Sequence, residues 1–188
     1  MRSLTYSMSV SLDGFIAGPD GAIDWSVPDE ELFGFHTEQV QETGMHLCGR
    51  LLYETMVYWE TAEEGPLAAE QVKFAQIWKA LPKVVFSTTL ESVVGNTRLA
   101  RDGVGEEVSR LKAQPGNDIA VGGAGLARAC MELELIDEWR LFVSPVLLGG
   151  GTPYFPTLEE TINVELVETR TFGSRVVFLR YRRPSDGL

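Results

Sequence analysis

Two cysteines and two histidines in 188 residues leave little material for a disulfide framework or a metal centre. Cys48 and Cys130 stand alone in apolar surroundings and read as buried thiols, while His36 and His46 lack the spacing of a paired ligand motif. No metal is expected. Basic residues are scarce as well: 16 Lys and Arg against 27 Asp and Glu give a net charge of −11, with no basic run to release counterions from a phosphate backbone. Nucleic acid is therefore not an expected partner. No apolar run approaches the length of a membrane span, and Met1 to Ser9 alternate polar with apolar where a signal peptide would be unbroken. A cytoplasmic location away from the membrane is the expectation. Internal repeats and low-complexity tracts are missing too.

Core-forming residues are plentiful by contrast. The chain is 44% hydrophobic and 10% aromatic, so a packed core and a single domain over residues 1–188 are expected. Between Ile119 and Gly151 come an apolar run, the pair Gly122 and Gly123, a helical pattern of Leu126, Ala129, Cys130 and Leu133, and a second apolar run. They read as strand, tight turn, helix and strand. In such a βαβ unit the amides of the glycine turn and of the first helical turn have no partner within the helix, and the helix dipole adds to their attraction for an anion. A nucleotide pyrophosphate suits that position; a plain tight turn is the alternative.

Upstream, Leu4, Tyr6, Met8, Val10 and Leu12 alternate with Thr5, Ser7, Ser9 and Ser11, a strand whose second face is small and hydroxylated. That face suits either a ligand or a packed helix. Asp13 and Gly14 make a turn, Phe15 to Ala17 an extended piece, and Gly18 to Gly21 an irregular loop that is a candidate lid. Trp25 to Glu30 opens a helix running to near Gly44, with Ser26 and Asp29 as a capping box and Leu32, Phe33, Phe35 and Val40 as its core stripe. One of the carboxylates of Asp29 and Glu30 could instead anchor a nitrogen-rich ligand beside Trp25. A short strand from Met45 to Cys48 leads through Gly49 and Arg50 into a helix, placing a guanidinium where it opposes the dipole. Such a conflict suits phosphate recognition; a salt bridge to Glu54 is the alternative.

A helical stripe follows between Gly65 and Ala80, and then a buried strand from Lys83 ends in the hydroxyls of Ser87, Thr88 and Thr89. An ordinary NAD-binding unit places an acid there for the ribose hydroxyls; neutral donors with Arg50 available suit a 2′-phosphate, hence NADPH. Asn96 to Leu99 is a further short strand and Glu106 to Lys112 a short helix. The glycine-rich turn Gly149 to Gly151 must approach a neighbouring strand or a ligand closely, and Asn163 to Thr171 with Arg175 to Arg182 form a C-terminal hairpin.

Four of these segments also carry a resemblance: Ser11 to Ala17 with Ile23 to Trp25, the Gly49 to Glu54 turn, Val121 to Leu126, and Ser144 to Gly151. In that order they resemble the dihydrofolate reductase superfamily, and more closely its branch containing the reductase domain of bacterial riboflavin biosynthesis. The resemblance implies an α/β fold with a sheet of about eight mostly parallel strands, flanking helices and a C-terminal antiparallel hairpin. It implies NADPH along the carboxyl edges of the strands: Gly49 and Arg50 at its phosphates, Ser87 and Thr88 at the adenosine ribose and 2′-phosphate, Gly122, Gly123, Ala124, Gly125 and Leu126 at the pyrophosphate, and Ser9 and Ile16 flanking the nicotinamide. The substrate would meet Trp25 and Phe33, with Glu30, or by a one-residue shift Asp29, at the position of the folate enzymes' carboxylate. Two departures stand out: Leu52 replaces a hydroxyl residue of the folate enzymes, and the zinc-binding Cys and His of the riboflavin enzyme's deaminase domain are not found in these 188 residues. The expected activity is hydride transfer from NADPH to a C=N or C=O carbon of a heterocyclic or sugar-linked small molecule. A dihydrofolate reductase proper, or a nucleotide- or flavin-binding protein without chemistry, are the alternatives. The riboflavin-type branch usually pairs and the C-terminal runs are apolar, so a homodimer is expected.

Overall fold

A computed structural model of the chain describes residues 1–62, 67–158 and 160–184. In order come β1 (Leu4–Ser11), β2 (Phe15–Ala17), one turn of 3-10 helix (Asp24–Ser26), α1 (Glu30–Glu42), β3 (Met45–Gly49), α2 (Arg50–Thr61), α3 (Ala69–Ala80) and β4 (Lys83–Phe86). Then follow β5 (Thr97–Leu99), α4 (Val104–Lys112), β6 (Ile119–Gly122), α5 (Ala124–Glu132), β7 (Glu138–Ser144), β8 (Thr152–Pro153), β9 (Glu165–Thr171) and β10 (Val177–Arg182). Eight strands form one sheet in the order β5-β4-β3-β6-β1-β7-β10-β9. Neighbours from β5 through β7 are parallel, and β10 and β9 close the sheet as an antiparallel hairpin. The expected α/β architecture is the observed one.

Alternation in β1 sends its two sets of side chains to opposite layers. Leu4, Tyr6 and Val10 join Leu47, Val84, Ile119 and Val121 under α4 and α5, where Val108, Leu111, Leu126 and Ala127 meet them. On the other face Cys48 and Val85 pack with Tyr53, Phe74 and Trp78 of α2 and α3, and Phe142 and Phe178 pack with Leu32 of α1. Burying each such side chain is worth about 1.5–3 kcal/mol, so both layers bind their helices firmly to the sheet.

Local chemistry moves several boundaries away from the sequence expectation. Ser26 and Asp29 form no capping box, because Ser26 Oγ donates to Ile23 O within the 3-10 turn (2.7 Å) and Asp29 is itself the N-cap of α1, accepting from Leu32 N at 2.9 Å. β4 stops at Phe86 before its hydroxyls, since Ser87 Oγ accepts from Thr89 N and Leu90 N (3.1 Å each) and turns the backbone out of the sheet. α3 starts at Ala69; Gly65 and Pro66 lie outside the described residues. In the glycine-rich turn the close neighbour is a strand: β8 pairs with β2, and Gly151 (φ +126°) lies so near Ala17 O and Gly18 that a Cβ there would collide with backbone.

One buried ion pair fixes α2 against the sheet. Lys83 Nζ, at the start of β4, donates to Leu81 O at 2.8 Å and meets Glu60 Oε1 near the end of α2 at 2.7 Å, with the two side chains only 1% and 5% exposed. Removing one partner leaves a charge without water or counter-charge. Glu60→Ala is expected to cost about 3–5 kcal/mol in urea unfolding, and Glu60→Leu combined with Lys83→Met to recover most of it; equal losses in both variants would contradict this role.

Candidate functional site

Parallel pairing brings the ends of β5, β4, β3, β6, β1 and β7 to one edge of the sheet. In register, Phe86 stands beside Gly49, Cys48 beside Gly122, and Ser11 beside Ser144. The neighbours β3 and β6 are followed by helices on opposite faces, α2 with the layer of Cys48 and Val85 and α5 with that of Leu47 and Val121. A reversal of this kind is the usual ligand position in open α/β sheets, and here it falls at the two glycine turns.

The turns touch. Gly123, at φ +93°, is the N-cap of α5, and a Cβ on it would stand 3.7 Å from Gly49 N, 3.8 Å from Gly49 Cα and 3.7 Å from Leu52 Cβ. A Cβ on Gly49 would lie 3.8 Å from that of Leu126. Leu52 fills the space over Gly122, so closely that a Cβ there would run into its Cδ2 and come within 3.1 Å of His46 Cε1. Neither α2 nor α5 has a side-chain cap, and neither carries an acid in its first turn. The first amides of both helices thus have no side-chain partner among the described residues, and a phosphate group fits that donor set chemically.

Arg50 begins α2 and reaches back along it: Nη1 is 3.6 Å from Glu54 Oε1, with the side chains 49% and 43% exposed. The intrahelical salt bridge named above is thus present, and a wet pair of this kind is worth about 0.2–1 kcal/mol. Ala124 and Gly125 occupy the first turn of α5, where a Cβ on Gly125 would meet nothing within 4 Å. Ser87 spends its oxygen lone pairs on its own turn, and Thr88 beside it is exposed. Below the two turns, burial pushes the Cys48 thiol up to about 12 and His46 down to about 4. Cys48 Sγ and His46 Nδ1 lie 3.3 Å apart as a neutral pair, and not as a nucleophile with its base.

On the substrate side, Ser9 is in register with Phe142, whose ring lies 4.3 Å from that of His36 on α1. Burial holds His36 down to about 4, so its ring is neutral at neutral pH. Asp29, Leu32 and His36 are spaced by three and seven and share one helix face. Asp29 and Glu30 both line a groove of about 680 Å³, with Glu31, Glu38, Glu70 and Arg170. Phe33 packs in the α2–α3 layer, its ring 5.5 Å from Phe74 and 6.1 Å from Trp59. Trp25 Nε1 donates to Ala22 O (3.2 Å), which ties the Gly18 to Gly21 loop to the 3-10 turn. Ile16 is buried in the layer of β1. The structure brings Gly49, Arg50 and Gly122 to Leu126 together, with Ser87 and Thr88 one strand away, while Phe33 packs against α2 and α3 and Glu30 lines the acidic groove.

Asp13, a turn residue by sequence, organises this end of the site. Its carboxylate accepts from Ser11 Oγ (2.6 Å), Gly149 N (2.7 Å) and Leu148 N (3.1 Å), and these bonds, the hydroxyl first, hold it below the usual carboxylate range. It thereby fastens the glycine-rich turn to the end of β1. His36 was legible as the residue seven after Asp29; no local pattern marks Asp13 as a partner for amides some 135 positions away.

If Leu52 and Gly122 are packed as described, Gly122→Ala should destabilise the protein by about 1–3 kcal/mol, with Leu52→Ala in the same chain returning part of the loss. Thermal unfolding of the two variants measures this, and a neutral Gly122→Ala would refute the packing.

A model of the family described as the RibD C-terminal domain matches residues 2–178. The uncharacterized protein YyaP of Bacillus subtilis (strain 168) is 35% identical over 184 residues, covering 96% of this chain and 94% of its own. Among solved structures, a pyrimidine reductase-like protein from Corynebacterium diphtheriae superposes with a TM-score of 0.67 at 13% identity, covering 98% of this chain and 93% of that one. A diaminohydroxyphosphoribosylaminopyrimidine deaminase/5-amino-6-(5-phosphoribosylamino)uracil reductase from Thermotoga maritima superposes at 0.65 with 16% identity, over 97% of this chain and 57% of its own. At these identities the two structures bear on the fold.

Proposed function

The chain belongs to the RibD C-terminal domain family, a family of reductases, and from that premise we propose that it is an NADPH-dependent oxidoreductase acting on a C=N or C=O carbon of a heterocyclic, sugar-linked substrate. Substrates of the 5-amino-6-(5-phosphoribosylamino)uracil class are the first to try, because the Thermotoga maritima relative is named for their reduction. The observation that carries the reading is the pair of uncapped helix N-termini meeting at Gly49 and Gly123 beside a guanidinium. Gly49 and Arg50 would hold the cofactor phosphates, Gly122 to Leu126 the pyrophosphate, and Ser87 and Thr88 the adenosine ribose with its 2′-phosphate. Ser9 and Ile16 would flank the nicotinamide. The chemistry that NADPH supplies when bound is the hydride.

The chain's own part is orientation and a proton. Asp29 spends Oδ1 on the α1 cap, and Oδ2 has no partner among the described residues, so it can accept from a ring N–H or pass a proton to the reduced atom. Both carboxylates line the acidic groove, and the spacing of Asp29 to Leu32 and His36 is what makes it the preferred one. The Asp13 tether and the Gly18 to Gly21 loop would keep water from the reacting atoms.

NADPH titration should give a Kd raised at least about tenfold by Arg50→Gln, equivalent to 1.4 kcal/mol. Asp29→Asn keeps a competent N-cap while removing the acid. It should leave the NADPH Kd alone and lower turnover of a phosphoribosylamino-pyrimidine by about 10²–10⁴-fold. An NADPH Kd indifferent to Arg50 would reject the site, and an active Asp29→Asn would reject the proton donor.

We also propose a homodimer through the C-terminal strands. An apolar cavity of about 520 Å³ lies among Leu141, Leu179, Tyr181, Phe155 and Ile162, and β9 at the sheet edge exposes Leu166 and Val167. Light scattering should report twice the chain mass, falling to one chain on Leu166→Lys; a wild-type monomer would end this proposal.

A further inference from the structure

We infer that Glu54 is an internal competitor for Arg50 that sets how tightly the phosphate cradle holds its ligand. The inference rests on the cofactor reading above and concerns a residue to which that reading gives no role. Arg50 lies in the first turn of α2, where the dipole disfavours a cation, and no acid of that turn offsets it. The offset comes from one turn further on, where Glu54 Oε1 stands 3.6 Å from Arg50 Nη1, an ion pair with both groups about half exposed. A phosphate arriving at Gly49 and Arg50 competes for the same guanidinium and brings negative charge next to the Glu54 carboxylate. Wet, long and without a second anchor, the pair is easily parted, so Glu54 opposes the ligand more than it orients the arginine.

Glu54→Gln keeps the size and helix preference of the side chain while removing its charge. Calorimetric titration of the full chain with NADPH at low salt should show Kd falling about threefold to tenfold, the gap closing near ~0.5 M salt as the charges are screened. Inorganic pyrophosphate, a second probe, should tighten in the same sense. A Glu54→Gln protein that binds NADPH more weakly, or equally at every salt concentration, overturns the inference. Arg50→Gln run in parallel separates the two levels of the argument. If it weakens NADPH, the cofactor reading stands and Glu54→Gln decides the competitor role; if it changes nothing, both fall. In the double variant the benefit of Glu54→Gln should shrink, since no arginine remains to be released; an undiminished benefit would mean that Glu54 acts without Arg50 and would likewise overturn the inference. The unfolding midpoint of Glu54→Gln should fall slightly, by no more than one exposed ion pair accounts for, so that tighter binding comes with lower stability and is set apart from a stabilising change.

Discussion

Contact between the turn after β3 and the turn after β6 is the constraint on which the candidate site depends. Gly122, Gly123 and Gly49 approach without side chains of their own, and Leu52 takes up the space that remains. Gly123 must also adopt a positive φ, which costs a glycine little and a branched residue a great deal. α2 and α5 leave this contact toward opposite faces, and the N-terminal amides of both start beside it without a side-chain cap. Leu52 thereby accounts for the departure from the folate enzymes at its position: the side chain holds the two turns together where theirs would offer a hydroxyl.

Several charges in this acidic chain hold backbone or a buried partner in place. Asp13 takes the amides of Leu148 and Gly149, Asp29 that of Leu32, and Glu31 that of Gly173 while pairing with Arg170. Glu107, without exposed surface, is ringed by Arg98 and Arg110, and Lys83 by Glu60 and two carbonyls. Arg50 differs in kind. It is half exposed, weakly paired and set against its own helix, a costly arrangement for stability and a useful one for an anionic ligand.

Much of the fold was legible because hydrophobic period and glycine placement are local signals. Alternation from Leu4 to Ser11, the apolar run before Gly122 and the hairpin around Gly173 each became the element they implied. Site residues were legible to a smaller degree. Glycine-turn amides can be read from a strand–glycine–helix pattern, and so can the awkward position of Arg50. Phe33 could not be told from a ligand contact, since an aromatic residue on a helix stripe has the same period whether it meets Phe74 or a substrate. Ser87 was legible as a hydroxyl at a strand end, but that its oxygen accepts two amides of its own turn and keeps only its proton to donate depends on where the strand ends.

Sequence by itself determined which segments become strands and helices, where backbone amides go uncapped, and that a cation opens α2, because each depends on residues a few positions apart. Tertiary structure alone decided that β6 lies between β3 and β1, that Leu52 wedges against Gly122, that Asp13 anchors the turn at Gly149, and that His36 meets the ring of Phe142. Those facts join residues far apart in the chain, and their energies come from packing and desolvation that exist only once the layers have closed on the sheet.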